Sequence, residues 1–260
     1  MTQMNEIGMI ASNISDGVMT VTLGAGKAHP LSLSMIRALH AQIDAATADD
    51  AVRVLVIHGP GPIFCAGHDL KEIARHRADP DDGLAYLTEL FEACGAMTQA
   101  LSNCPKPGVA MVDGIATAGG LQLAAACDVV FASRAATFCL PGVNNGGFCS
   151  TPAVTVSRVI GRKKVAEMAL SGETFNAEWA REAGLVTRVY TRDVLERETM
   201  GFARQLATRH APAIADGKAA LYRHLDLPLD EAYDLATKVM IGHFMDPHRI
   251  EKEKANWLKP

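Results

Sequence analysis

The stretch from Val52 to His58 (VRVLVIH) is an apolar run of strand length that ends at Gly59-Pro-Gly-Pro62. A strand with one wet face alternates polar and apolar residues. A run like this one suits a strand covered on both faces, and such strands belong to parallel sheets sandwiched by helices. Gly108 to Val112 and Asp128 to Ser133 read as further strands of this kind, while Val18 to Leu23 alternates as a half-buried strand does. The fold class that follows is α/β.

The segments between these strands have helical spacing. Ser32 or Ser34 can cap a helix through Met35, Ile36, Leu39, Ile43 and Ala46. Leu84 to Leu101 places Tyr86, Leu87, Leu90, Phe91, Cys94 and Met97 on one face, and Pro105 and Pro107 stop it. A short apolar helix is expected over Leu121 to Ala126. Helix, turn and strand alternate again from Asn176 to Tyr190, with Gly184 as a helix stop. From Val194 onward the pattern is helical throughout, over Val194 to Arg209, Pro212 to His224 and Pro228 to Phe244. The expected organisation is an α/β core over residues 1–193 and a helical region over 194–260.

Composition narrows the functional classes. The 25 basic and 29 acidic residues give a formal net charge of -4, which argues against nucleic acid as a partner. No apolar run reaches the ~18 residues that span a bilayer. Met1 to Met9 has neither the basic-then-apolar layout of a signal peptide nor Arg-rich transit character, so a cytoplasmic protein with no membrane partner is expected. The six cysteines (Cys65, Cys94, Cys104, Cys127, Cys139, Cys149) are scattered among apolar and small residues with no C-x-x-C pair. They read as buried free thiols, and no metal site is expected.

Two segments carry candidate chemistry. Phe64 to Glu72 (FCAGHDLKE) follows a strand and a Gly/Pro turn and opens a helix at Asp69. Gly114 to Gln122 (GIATAGGLQ) also follows a buried strand and opens a helix. Small residues let a ligand approach the backbone, and amides at a helix start lack internal partners. Two such turns facing one another would offer a pair of N–H donors to an oxyanion. Taken singly, each is an ordinary strand-to-helix turn, and neither matches a phosphate-binding pattern.

FCAGHDLKE resembles the F-x-A-G-x-D-L motif of the enoyl-CoA hydratase/isomerase (crotonase) superfamily. Lys106 to Ser133 resembles its K-P-x-x-A-x-x-x-G-x-x-x-G-G-G-x-E-L-x-x-x-C-D motif. Phe138 to Asn144 (FCLPGVN) and Ala177 to Val189 resemble two later segments, and the likeness covers about residues 15 to 257. It implies a ββα spiral core, a C-terminal helical trimerisation region, and trimers or dimers of trimers that bind acyl-CoA. Coenzyme A would be part of the substrate, and no separate cofactor is implied. The thioester oxygen would sit between the backbone amides of His68 and Gly119, which would stabilise a thioester enolate.

The departures from the motif are chemical. The two glutamates of the superfamily's hydratases fall at Gln122 and Gly142, and neither can exchange a proton near neutral pH. Asp113 is a nearby carboxylate by sequence, though its place at a strand end suits a turn former. AGHDL and Pro141-Gly-Val-Asn144 resemble segments of crotonase-type methylmalonyl-CoA decarboxylases, and His68, Asn144 and Gln122 are polar groups that suit such a reaction. GHDLKE, Gln122, PGVN and FCSTP are shared with the group called enoyl-CoA hydratase domain-containing protein 3. His68, Gly119, Gln122 and Asn144 are therefore the candidate catalytic residues. The resemblance places CoA along Lys27, Ala28, Ala66, His68, Asp69, Leu70, Gly120, Pro141, Gly142 and Lys252. An acyl-CoA lyase, hydratase-like or decarboxylating, and a non-catalytic acyl-CoA-binding protein are both open at this point.

Overall fold

The chain opens with β1 (Gln3–Asn5), β2 (Ile10–Ser15) and β3 (Val18–Leu23), an antiparallel set joined by a tight turn at Asp16 and Gly17. The computed structural model describes residues 3–5 and 9–257, so most of the N-terminal segment read above for leader character lies outside the described residues. Helix α1 (Leu33–Ala48) follows, capped by Ser32, whose hydroxyl accepts from the Met35 N–H at 3.1 Å. Of the two candidate caps, Ser32 is the one used.

Beyond α1 the chain repeats one pattern. A longer strand joins a large sheet, a three-residue strand joins a small sheet, and helix follows. The first turn is β4 (Val54–His58), β5 (Ile63–Cys65), α2 (Leu70–His76) and α3 (Leu84–Asn103). The second is β6 (Gly108–Val112), β7 (Ile115–Thr117) and α4 (Gly119–Ala125). The third is β8 (Val129–Ser133) and β9 (Thr137–Cys139), then a 3-10 turn (Pro141–Asn145), α5 (Ser150–Val159) and α6 (Arg162–Ser171). β10 (Thr174–Asn176), α7 (Ala177–Ala183) and β11 (Arg188–Tyr190) complete the two sheets, and Gly184 ends α7 at φ +92°. The large sheet runs β1-β2-β3-β4-β6-β8-β11 and is parallel from β3 onward; the small one runs β10-β9-β7-β5. This is the ββα spiral that the motifs imply.

β4 and β6 are buried along almost their whole length, as the apolar run requires. One face of the large sheet packs Leu55, Ile57, Ala110 and Val112 into the main core with α1 and α3. The other packs Val54, Val56, Val109 and Met111 against α8 (Arg192–Ala207) through Leu195 and Ala203. For this reason the division of the chain differs from the one expected. The sequence reading divides it after residue 193, yet α8 covers the sheet and belongs with the core. The first compact unit extends to Thr208, and the second begins at Arg209. That second unit consists of α9 (Ala211–His224), α10 (Leu229–Phe244) and α11 (Pro247–Trp257). All six cysteines are buried free thiols.

Candidate active site

β5 and β7 are parallel neighbours, with Ile63 opposite Ile115 and Cys65 opposite Ala116. Adjacent parallel strands end at the same edge of a sheet, so the turns that follow them lie side by side. Glycine makes the approach possible. Gly67 sits at φ +81°, and a Cβ there would lie 3.0 Å from both the Gly119 nitrogen and the Thr117 carbonyl oxygen. A Cβ on Gly120 would lie 2.1 Å from the Cys65 carbonyl oxygen. The two Gly-containing segments singled out in the sequence thus meet backbone to backbone.

Leu31 straps the first turn from its other side. Its N–H donates to the Gly67 carbonyl at 2.8 Å, and its carbonyl accepts from the Asp69 N–H at 3.2 Å. In such a bridge the intervening His68 N–H points away from Leu31. Among the described residues, neither the His68 N–H nor the Gly119 N–H has a hydrogen-bond acceptor. The orientation of the second donor is set by Ala118, at φ 50° and ψ -118°. A side chain with a Cβ rarely adopts a positive φ, so this is a strained residue held by its neighbours. Its N–H donates to the Cys139 carbonyl at 3.1 Å and its carbonyl accepts from the Gln122 N–H at 3.0 Å.

The His68 ring stands beside these donors. Its Nε2 lies 3.6 Å from where a Cβ on Gly119 would be, and Phe91 of α3 meets it edge to face at a centroid distance of 5.0 Å. Both ring nitrogens are buried without a hydrogen-bond partner. Burial lowers the pKa of His68, with a smaller opposing influence from the Leu31 backbone, so the ring is neutral near pH 7. Asp69 caps α2, accepting from the Lys71 and Glu72 N–H groups at 2.9 and 3.1 Å. The helix therefore opens at the residue the sequence indicates.

Gln122, one turn after Gly119, is 2% exposed. Its Nε2 donates to Thr98 Oγ1 at 2.8 Å, and Thr98 in turn donates to the Cys94 carbonyl at 2.8 Å. Its Oε1 is buried and has no partner. The Cys94 thiol alongside is pushed by burial up to about 11 and stays neutral. Thr98 and Phe91 are seven residues apart on α3, so one helix face reaches both Gln122 and His68. Sequence reasoning misses Thr98, Leu31 and Ala118. The first two act across elements distant in sequence, and only Ala118, standing in place of the first glycine of the motif's G-G-G, leaves a signal in the chain itself.

Other candidates lie differently. Ala66 and Ala28 meet through the Ala66 N–H and Ala28 carbonyl at 3.0 Å, with Lys27 exposed beside them. Leu70 is exposed on α2, and Lys252 is exposed on α11 of the second unit. Pro141 and Gly142 open the 3-10 turn, where the Gly142 N–H donates to Cys149 Sγ at 3.3 Å. Asn144 is held on the 3-10 turn. Its side-chain NH2 donates to the Gly172 carbonyl at 3.0 Å, pinning the 3-10 turn to the end of α6, and no hydrogen bond links it to His68, Gly119 or Gln122. Asp113 is a turn residue in ion-pair contact with Arg192 at 2.9 Å. Among the described residues, no group of three or more His, Cys, Asp or Glu side chains is placed to hold a metal ion, and no helix is long and apolar enough to cross a membrane.

The enoyl-CoA hydratase/isomerase family model matches residues 13–258. The chain belongs to the enoyl-CoA hydratase/isomerase family. Rat mitochondrial enoyl-CoA hydratase domain-containing protein 3 is 37% identical to this family member over 240 residues, 92% of this chain and 78% of the relative. The 2,3-dehydroadipyl-CoA hydratase of Escherichia coli (strain K12) is 34% identical over 220 residues, 82% of this chain and 81% of the relative. Among solved structures, an enoyl-CoA hydratase/isomerase family protein from Silicibacter pomeroyi shares 57% identity at a TM-score of 0.88, covering 92% of this chain and 99% of its own. Human enoyl-CoA hydratase domain-containing protein 3 superimposes with a TM-score of 0.89 at 35% identity, covering 95% and 96% of the two chains. The cytoplasmic placement expected from the sequence is overturned here, because the rat, mouse and human relatives of this hydratase/isomerase-family chain are mitochondrial proteins by name.

Proposed function

We propose that the protein binds an acyl-CoA with the thioester oxygen between the N–H groups of His68 and Gly119 and acts on it as an enzyme through the enolate. The observation that carries this reading is the pair of unpaired backbone donors brought together by the glycine approach at Gly67 and Gly120. Donors fixed in advance cost no reorganisation when charge develops on the oxygen. The turn at Lys27 and Ala28, the segment Ala66 to Leu70, and Gly120, Pro141 and Gly142 would line the CoA and thioester.

Ordinary two-glutamate hydration is not the reaction proposed. Gln122 and Gly142 occupy the two positions, and proton transfers of that kind each contribute about 10²–10⁴-fold. A decarboxylase built on His68, Asn144 and Gln122 is also less favoured, because the Asn144 NH2 is engaged with Gly172. The apolar surface of the second unit supports self-association, as the trimer that the family resemblance implies or a pair of such trimers.

The test is affinity for butyryl-CoA against its thioether analogue S-butyl-CoA, which lacks the carbonyl. Two hydrogen bonds of about 1 kcal/mol each predict at least a tenfold preference for the thioester. Gly119→Pro removes one donor at the first helical position, where proline is tolerated, and should cut that preference to about fivefold, the factor one remaining bond supplies. Equal affinity of the unaltered protein for the two ligands would exclude the site.

A further inference from the structure

We infer that His29 is a positioning residue for the thioester site. Its buried ring, anchored to the loop between β4 and β5, fixes the strap of backbone over residues 28–31 that aims the His68 N–H. The inference rests on the acyl-CoA reading above and adds to it a residue that meets no substrate.

Residues 28–31 run along the turn that carries His68. The Ala28 carbonyl accepts from the Ala66 N–H at 3.0 Å, and the His29 carbonyl accepts from the Cys65 thiol at 3.1 Å. Leu31 adds its N–H to the Gly67 carbonyl and its carbonyl to the Asp69 N–H. Each residue from Cys65 to Asp69 except His68 is thus bonded to the strap. A shift of the strap therefore turns the peptide whose N–H is the proposed thioester donor.

His29 holds the strap in turn. Its φ is +45°, a region that residues with a Cβ enter at a cost, although histidine does so more often than most. Such strain persists only where the surroundings hold it. Here the backbone N–H donates to the Ala25 carbonyl at 3.0 Å. The ring, on a residue 2% exposed, reaches the Pro60 carbonyl with Nε2 at 2.9 Å. A carbonyl only accepts, so Nε2 carries the proton. Nδ1 is buried with no partner among the described residues, which makes the bond to Pro60 the polar contact that orients the ring.

The loop that receives this bond is rigid. Proline fixes φ at residues 60 and 62. A Cβ on Gly59 would lie 2.0 Å from the Phe64 carbonyl oxygen, so the loop folds back closely on β5. The Pro62 carbonyl accepts from the Ile115 N–H of β7 at 3.1 Å. The loop is therefore tied to both strands that lead into the donor turns. The bond from His29 sets the strap against this frame, and with it the His68 N–H against the Gly119 N–H.

The ratio of affinities for butyryl-CoA and S-butyl-CoA tests the assignment, because contacts to the CoA moiety are common to both ligands and cancel. His29→Leu removes the anchor, and the preference for the thioester should fall to about fivefold, the factor that the remaining Gly119 bond supplies. His29→Gln, whose terminal NH2 can stand in for Nε2–H, should retain the preference of the unaltered protein. His29→Leu combined with Gly119→Pro should bring the two ligands within about twofold, since each change removes a different donor. His29→Gly accepts positive φ without strain yet lacks the anchor, and gives the same fivefold reading should the leucine variant fail to fold. A ratio left unchanged in the leucine or glycine variant overturns the assignment, since a residue that only stabilises the fold would weaken both ligands alike. A double variant with the ratio of Gly119→Pro alone overturns it too, because His29 would then act elsewhere than on His68. Equal affinity of the unaltered protein for the two ligands would instead exclude the thioester site itself, and the role of His29 with it.

Discussion

Ala118 shows how one residue ties the backbone to the chemistry. Its ψ turns the peptide that carries the Gly119 N–H, and its positive φ is a conformation in which a Cβ is strained by ~1–3 kcal/mol. Replacing it with glycine removes that strain but adds ~0.4–1 kcal/mol of chain freedom to the unfolded state. Ala118→Gly is therefore expected to raise stability by about 1 kcal/mol, read as a higher urea midpoint at unchanged slope. A lower midpoint would mean that the methyl group, and not the dihedral, governs this position. At this scale the sequence is informative where the chemistry is local. His68, Gly119 and Gln122 lie on short motifs, and the glycines around them mark close backbone approach. Asn144 was legible only as a polar residue beside a motif, and its bond to Gly172 depends on how α6 ends, which no local pattern encodes. Thr98 looked like one more residue on an amphipathic helix, because its partner comes from the next turn of the spiral.

At the scale of elements, the long strands and helices were readable from their periods, and the small sheet was not. β5, β7, β9 and β10 have three residues each, too few to display an alternation. Yet this sheet builds the site, since the pairing of β5 with β7 brings the two turns together. The 3-10 turn after β9 is equally silent in sequence, and here the obstacle to restoring a glutamate at residue 142 is packing. A Cβ on Gly142 would lie 2.7 Å from the Cys149 nitrogen and 2.8 Å from the Phe148 carbonyl carbon, both backbone atoms that cannot rotate away. Gly142→Ala should therefore destabilise by the ~1–3 kcal/mol typical of overpacking. Gly147→Ala serves as the control, since its added methyl meets only the Gly142 carbonyl oxygen at 3.8 Å. The urea midpoints of the two variants check this. Equal midpoints would show that the turn yields, and a carboxylate introduced at residue 142 would then be a realistic way to test for recovered hydration.

At the scale of the whole molecule, the two compact units solve different problems. The first encloses its own core on both faces of the large sheet. In the second, α9 and α10 pack against one another, yet α9, α10 and α11 have no fully buried residue. Leu221, Leu229, Tyr233, Met240, Ile241 and Phe244 are exposed on α9 and α10, and Leu225 is exposed at the C-cap of α9. Isolated exposed apolar residues are normal, but a concentration on adjacent helices is what supports the self-association proposed above. Composition could not reveal this, because the same apolar spacing on a helix serves a chain's own core and a partner equally well. Sedimentation at micromolar concentration is expected to give a trimer or a multiple of one. A charge on this surface, as in Leu225→Asp, should shift the population toward monomer while the first unit stays folded, since its core owes nothing to Leu225. A stable monomer of the unaltered chain at that concentration would remove the proposal of self-association. It would also leave these helices to be explained by a partner of a different kind.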